Sequence, residues 1–305
     1  MTDKFFASPE GRELILAAYD TVLDLWPIPY QTHTIPTRHG ETFVLTCGDP
    51  AAPPLVLLHG SASNTAMWAG DAAAYATRHH VIAIDMPGEP GRSQVLRFDL
   101  DGPAAAEWLL DVLAALGLAR VDLLGISLGG WLALKLAVTA PERVNKLVLL
   151  CPGGVVPMSS LILFQIVPLS FLGGWGSDRV MTLLNAGRPL DKNILRFSRV
   201  INHNFRPRME PLPLFTDDEL RRLSLPVLLE AGAKDPMFDM HATAARLQWL
   251  LPCLTVDMLP EAGHVLANLS GRVLPFLDPP RIAFAAMDRV PSDRIASDRP
   301  ATGCD

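Results

Sequence analysis

The chain has 305 residues, of which 49% are hydrophobic and 19% are charged. That balance is typical of a globular protein and excludes an intrinsically disordered chain, and the length allows two domains or one large one. The formal net charge of −6 disfavours a nucleic-acid-binding protein, because such proteins usually carry a basic excess that neutralises phosphates.

Local composition disfavours further classes of protein. The first ten residues lack the apolar core of a signal peptide, and no run of 18 or more apolar residues is free of Pro and Gly. None of the four cysteines belongs to a CxxC pair, so neither a zinc site nor a disulfide framework is expected. We therefore expect a cytoplasmic protein with no membrane span, no metal ion and no organic cofactor.

The N-terminal pattern predicts one helix followed by a β-hairpin. A polar residue, Ser8, precedes Pro9, and proline is a typical first residue of a helix. Two β-like runs follow, Gln31–Thr37 and Glu41–Cys47, and a His-Gly turn joins them.

Six short apolar runs then alternate with longer helical patterns. The runs are Leu55–Leu58, Val81–Ile84, Val121–Leu124, Leu147–Leu150, Val227–Leu229 and Leu254–Met258. The helical patterns are Ala66–Thr77, Gly102–Leu116, Leu128–Thr139, His241–Leu250 and Val265–Leu277. Runs that are apolar throughout are typical of strands buried on both faces of a parallel sheet. The alternation predicts an α/β fold with a mostly parallel central sheet and helices on both faces.

One long segment interrupts this alternation. From Gly153 to about Arg222 there is no convincing strand, but there are several short helical stretches rich in Pro, Leu, Phe and Arg. An insertion of that length between two strands predicts a helical cap over the strand ends. The predicted organisation is a core formed by residues 1–152 and 223–278, a cap at 153–222, and a Pro- and Arg-rich flexible tail at 279–305.

The strongest chemical signal is a G-x-S-x-G motif at Gly125–Gly129, which places Ser127 between a predicted strand and a predicted helix. A serine on such a sharp turn needs glycine on both sides, because side chains there would collide with the strand and the helix. The turn exposes the hydroxyl, and the helix N-terminus adds positive partial charge beneath it. The motif therefore predicts that Ser127 is a nucleophile.

A serine nucleophile needs a base, and in sites of this kind the chain order is Ser, acid, His. Only three of the eight histidines follow Ser127 in the chain: His203, His241 and His264. His203 lies in the predicted cap, and His241 opens a helix. We predict that His264 is the base, because it follows the last apolar run and so lies on a loop at the carboxyl edge of the sheet.

The orienting acid is expected on the loop after the preceding strand, where Asp235 lies. Its role is to accept the Nδ1 proton of the histidine and to stabilise the imidazolium that forms. Asp239 is a rival four residues further on, whereas Glu230 falls too early, within the predicted strand. No Asp or Glu occurs from Leu147 to Ser177, so an acid after the earlier strand is excluded.

Acyl transfer also needs two N–H donors for the developing oxyanion. One is the backbone amide of Leu128, the residue after the nucleophile. The other is predicted to be the amide of Ser61, on the loop after Leu55–Leu58, because Gly60 lets that backbone approach the site.

With the segment Asp85–Ser93, these motifs resemble the α/β-hydrolase family, and the similarity runs from about Pro29 to Leu277. The segment has one residue more between its glycines than the commoner family spacing D-x-x-G-x-G-x-S, a variant similar to a bacterial carboxylesterase-like branch. Asp85 is expected to hold this loop through Arg92 or through backbone amides. Serine at the nucleophile position disfavours haloalkane dehalogenases and epoxide hydrolases, which carry Asp there.

The resemblance implies a serine hydrolase that cleaves a small carboxylic ester through an acyl-enzyme intermediate, as a monomer or homodimer. An acyltransferase, a perhydrolase, a C–C bond hydrolase or a non-catalytic ligand-binding member of the fold remains as an alternative. Apolar residues of the uncharged cap entry are expected either to form an apolar substrate pocket or to attach the cap to the sheet. They are Val155, Val156, Met158, Leu161, Leu163, Phe164, Ile166, Leu169, Phe171 and Leu172.

Overall fold

The structure, a computed structural model, describes residues 5–170 and 172–278, without the side chains of residues 163 and 170. The predicted tail, 279–305, lies outside the described residues. The N-terminal helix begins at Pro9, and the Ser8 hydroxyl caps it by accepting a hydrogen bond from the Gly11 N–H. The predicted hairpin follows, with its two strands paired antiparallel.

Eight strands form a single sheet. They are β1 (Tyr30–Thr37), β2 (Gly40–Cys47), β3 (Pro54–Leu58), β4 (His80–Ile84), β5 (Val121–Ile126), β6 (Val144–Leu150), β7 (Val227–Gly232) and β8 (Leu254–Leu259). Their order across the sheet is β1-β2-β4-β3-β5-β6-β7-β8, and every pairing from β4 to β8 is parallel. Each of the six predicted apolar runs lies within one of these strands, so the predicted α/β-hydrolase architecture is confirmed.

Ten α-helices accompany the sheet in the described part of the chain. They are α1 (Pro9–Asp24), α2 (Ala69–Tyr75), α3 (Ala104–Ala115), α4 (Leu128–Thr139), α5 (Ser160–Ser170), α6 (Gly173–Leu184), α7 (Lys192–Asn204), α8 (Asp217–Leu220), α9 (Met240–Leu250) and α10 (Ser270–Leu277). The last helix begins at Ser270 rather than at the predicted Val265. The reason is local, because Asn268 has a left-handed backbone with φ +56°, which a continuous right-handed helix cannot contain.

The segment between β6 and β7 contains α5 to α8 and, within its described residues, no strand. Arg246 of α9 joins this segment to the sheet layer, because its guanidinium donates to the carbonyl oxygens of Val155 and Phe215 and to the Asp217 carboxylate. No helix in the described ranges is both long and apolar enough to cross a membrane.

The apolar entry to this segment divides into two parts. Val155, Val156 and Met158 pack against the main core, as one of the two predicted roles requires. Leu161, Phe164 and Leu172 are instead 65%, 78% and 53% exposed. Helix α5 buries Ile162 instead, so the face carrying Leu161 and Phe164 points to solvent. These exposed side chains therefore neither line an enclosed pocket nor attach the segment to the sheet. Phe171 and the side chain of Leu163 lie outside the described residues.

Candidate active site

Ser127 occupies a strained turn between β5 and α4, with φ +53° and ψ −111°. Backbone hydrogen bonds hold the turn: the Ser127 N–H donates to the Leu150 carbonyl at 3.0 Å, and the Ser127 carbonyl accepts from the N–H groups of Trp131 and Gly153. A positive φ at a non-glycine residue costs on the order of 1–3 kcal/mol and persists only where its surroundings enforce it. The half-buried serine is therefore held in the conformation that the motif predicts.

The two glycines of the motif allow α4 to approach β5 and the end of β3 closely. A Cβ atom on Gly125 would lie 2.3 Å from the Gly129 carbonyl oxygen, and one on Gly129 would lie 2.2 Å from the Leu58 carbonyl oxygen. Both distances are shorter than van der Waals contact allows, and both involve backbone atoms that cannot rotate away. Glycine is required at each position for steric reasons.

The structure brings Asp235 and His264 together. Nδ1 of His264 lies 2.7 Å from Oδ2 of Asp235, whose side chain is fully buried. The other carboxylate oxygen accepts the backbone N–H groups of Met237 at 2.7 Å and Phe238 at 3.3 Å. Because an ionised carboxylate can only accept, the imidazole carries its proton on Nδ1, and Nε2 is left able to accept a proton.

The rival residues lie elsewhere. His203, on α7, and His241, in the first turn of α9, are both exposed. The Asp239 side chain caps α9 by accepting the Ala242 N–H at 2.9 Å. Glu230 is buried within β7, as its position in the apolar run predicts.

Ser127 and His264 both lie at the carboxyl edge of the sheet, and the structure records no hydrogen bond between their side chains among the described residues. The Ser127 N–H is hydrogen-bonded to Leu150 at the end of β6, and the next residue, Cys151, lies beside Asp235 and His264.

Cys151, Asp235 and His264 are the one group of potential metal ligands found among the described residues, with ligand atoms within 4.8 Å of one another. Burial, reinforced by the negative charge of Asp235, raises the pKa of the Cys151 thiol well above its usual value. The thiol is therefore protonated at neutral pH, whereas metal ligation requires the thiolate. The Cys151 sulfur instead accepts the Gly232 N–H at 3.4 Å. These three residues are therefore better described as a hydrogen-bonded Asp–His pair with a cysteine packed beside it than as a metal centre.

The loop after β3 lies against Ser127. A Cβ atom on Gly60 would be 3.7 Å from the Cβ atom of Ser127, so the backbone of Gly60, the residue before Ser61, borders the serine. His59 is fully buried and fixes this loop: its Nε2 accepts the Met86 N–H at 2.9 Å, which leaves Nδ1–H to donate to the Gly60 carbonyl at 2.8 Å. Burial lowers the pKa of His59, in keeping with this neutral form. This role of His59 was not predicted from the sequence, where its only signal is a histidine directly after a buried strand.

Asp85 holds the neighbouring loop through backbone amides, one of the two arrangements expected from the sequence. Its carboxylate accepts the N–H groups of Thr65 and Arg92, each at 2.8 Å. The guanidinium of Arg92 bonds to Asp20 on α1 instead.

Comparison with known proteins identifies the family. The sequence profile of the alpha/beta hydrolase fold matches residues 53–185. The uncharacterized carboxylesterase nap of Bacillus subtilis (strain 168) is 31% identical over 261 residues, which cover 82% of this chain and 85% of the relative. The chain belongs to the α/β-hydrolase family.

Solved structures place this α/β-hydrolase beside bacterial carboxylesterases. The crystal structure of carboxylesterase CesB (YbfK) from Bacillus subtilis matches with a TM-score of 0.79 at 29% identity, covering 88% of this chain and 99% of that chain. Naproxen esterase (carboxylesterase NP) from the same organism matches with a TM-score of 0.78 at 28% identity, covering 87% and 98%. The similarity therefore spans nearly the whole of each relative, including the segment between β6 and β7.

Proposed function

We propose that this protein is a serine hydrolase that cleaves a carboxylic ester through a triad of Ser127, His264 and Asp235. The observation that carries the proposal is the 2.7 Å hydrogen bond between His264 and the buried Asp235, at the sheet edge where Ser127 occupies its strained turn. The similarity to carboxylesterases over most of the chain supports the same reaction class.

In the proposed mechanism, Ser127 Oγ attacks the ester carbonyl while His264 Nε2 takes the hydroxyl proton. The Asp235 carboxylate stabilises the imidazolium, and the backbone amides of Ser61 and Leu128 donate to the tetrahedral oxyanion. The oxygen–carbon bond to the alcohol then breaks, and the alcohol leaves with the proton from His264. Water, deprotonated by the same histidine, attacks the acyl-enzyme and releases the acid.

The proposed substrate is a small ester with an apolar part. Phe238 packs beside the His264 ring, with 5.7 Å between ring centroids, and buried Val155 lies at the start of the segment between β6 and β7. We propose that this segment, residues 153–222, is a cap on the core formed by 1–152 and 223–278. Support comes from its four helices and from its contact with the histidine loop, where the His264 N–H donates to the Leu184 carbonyl.

A fluorophosphonate probe and p-nitrophenyl esters of increasing acyl length test the proposal. We expect the folded wild type to be labelled and to hydrolyse short esters, and Ser127→Ala to lose both properties. Ser63→Ala, on the neighbouring loop, is the matched control and should keep both. A folded wild type that is neither labelled nor active would contradict the proposal and favour a ligand-binding member of the fold. Transfer of the acyl group to an added alcohol in preference to water would favour an acyltransferase.

A further inference from the structure

The loop with the unusual glycine spacing, residues 85–93, is hydrogen-bonded along the loop that follows β3, residues 59–65. Four hydrogen bonds join the two loops: Met86 N–H to His59 Nε2, Thr65 N–H to Asp85 Oδ1, Asn64 Nδ2 to the Pro90 carbonyl, and Ala62 N–H to Glu89 Oε2. The last is the shortest of the four, at 2.7 Å, and its acceptor is the carboxyl group of Glu89, which lies between the two glycines of the segment.

Glu89 is unusual because its side chain is buried beside a strained backbone. The residue is 4% exposed, and the Ala62 that it bonds has a left-handed backbone with φ +52°. In that conformation the Cβ atom of an alanine crowds the following carbonyl oxygen, and the surrounding contacts must offset this strain. A charge-assisted hydrogen bond from the Ala62 N–H to a buried carboxylate supplies such a contact.

The position of this bond matters because Ala62 directly follows Ser61. The peptide group that carries the Ser61 N–H also carries the Gly60 carbonyl, which His59 holds from the opposite side. In a planar trans peptide the C=O and N–H point in opposite directions, so a bond to that carbonyl fixes the line of the Ser61 N–H. Glu89 holds the next peptide, so the torsions of Ser61 are fixed at both ends.

We propose that Glu89 is a positioning residue that aims the Ser61 N–H at the oxyanion formed beside Ser127. This inference rests on the proposed function, because it takes the Ser61 amide as an oxyanion donor. Glu89 itself contacts neither the substrate nor the reacting atoms, and acts through the backbone of the loop.

The charges around Glu89 make its role measurable. Burial raises the pKa of Glu89 to about 7. The Ala62 amide, the guanidinium groups of Arg97 and Arg208, and the Ser61 side chain act in the opposite direction, because each favours the ionised form. The carboxyl group thus changes charge near neutral pH, and the ionised form is the stronger acceptor for the Ala62 N–H.

The test compares Glu89→Ala, which removes the acceptor, with Glu89→Gln, which keeps an acceptor oxygen without the charge. For a p-nitrophenyl ester we expect Glu89→Ala to lower kcat about 10- to 100-fold, with KM changed less than about threefold, because a displaced oxyanion donor affects the transition state alone. Its affinity for a trifluoromethyl ketone, whose adduct carries the oxyanion, should fall by a similar factor. Glu89→Gln should keep kcat within about threefold and lose one ionisation near pH 7 from the pH profile.

Asp122→Ala is the control for a merely structural effect. Asp122 is a buried acid near the start of β5 that accepts from Asn145 Nδ2 at 2.8 Å, away from both loops. This variant should lose stability yet keep kcat and the affinity for the trifluoromethyl ketone. If Glu89→Ala does not fold, Glu89→Asp replaces it, because its shorter side chain cannot reach the Ala62 N–H, and the same loss of kcat is expected.

Two results separate this inference from the proposed function. Turnover that persists in Ser127→Ala would overturn the serine mechanism itself. An inactive Ser127→Ala, together with a folded Glu89→Ala or Glu89→Asp that retains wild-type kcat and affinity for the trifluoromethyl ketone, would overturn the role of Glu89 alone.

Discussion

The backbone N–H of His264 donates to the carbonyl oxygen of Leu184 at 2.7 Å, so the end of α6 is bonded directly to the loop that carries the proposed base. The preceding residue, Gly263, makes this approach possible. A Cβ atom on Gly263 would lie 2.3 Å from the Leu184 carbonyl oxygen and 2.7 Å from the Ala186 nitrogen. The segment between β6 and β7 therefore helps to place the imidazole of His264.

Gly263→Ala should damage both activity and stability, because the added methyl group must push the end of α6 and the histidine loop apart. We expect kcat/KM to fall about 10- to 100-fold and the free energy of unfolding to fall by about 1–3 kcal/mol. Ester hydrolysis and urea denaturation measure the two effects. Gly271→Ala is the matched control: a Cβ there meets no atom within 4 Å, and alanine within α10 should stabilise by about 0.5–1 kcal/mol.

Asp235→Asn should lower kcat about 10³- to 10⁴-fold, since the amide cannot hold the imidazole in the productive tautomer or stabilise its charged form. Asp239→Asn is the control from the same loop. Asn is as good an N-cap as Asp, so the capping of α9 by this residue should survive with stability and kcat close to wild type. Equal activity losses in the two variants would contradict the assignment of Asp235.

Glu230 should make the protein less stable as pH rises. Burial is the main cause that raises the pKa of Glu230 to about 7 from an ordinary value of 4.5, and the negative charge of Asp257 adds to it. The folded state therefore binds this proton more tightly than the unfolded state does, so the stabilising contribution is complete below pH 4.5 and is lost as pH rises through about 7.

Urea denaturation at pH 5 and pH 8 measures this effect. Wild type should lose on the order of 2 kcal/mol more than Glu230→Gln over that interval. Glu142→Gln, an exposed glutamate in the turn before β6, should behave as wild type. A Glu230→Gln variant with the same pH slope as wild type would show that the glutamate is not responsible.

Arg246→Lys should loosen the segment between β6 and β7, because the single nitrogen of an ammonium group cannot reach the three acceptors that the separate nitrogens of the guanidinium bond. We expect the free energy of unfolding to fall by about 1–3 kcal/mol and trypsin to cut faster within residues 153–222. Arg221→Lys, which changes a more exposed arginine paired with Asp217 and Asp218, is the control and should alter neither. Unchanged proteolysis in Arg246→Lys would contradict this role.

The sequence by itself determined the strands of the parallel sheet and the turn at Ser127. Both depend on short-range information: strands buried on both faces must be apolar throughout, and the strand-to-helix turn needs glycine where the backbones touch. The same reasoning predicted Asp235 and His264 from their places after successive strands, and the structure shows that these two residues are hydrogen-bonded.

Only the tertiary structure decided which loops meet and which apolar residues stay exposed. The bonds from Glu89 to Ala62 and from His264 to Leu184 join residues distant in the chain, and they depend on how strand ends come together across the sheet. Likewise, Phe164 is as apolar as the buried Ile162, and the packing of α5 alone determines that one is exposed and the other is not. Local hydrophobic patterns specify elements, whereas contacts between loops follow from the order of the strands.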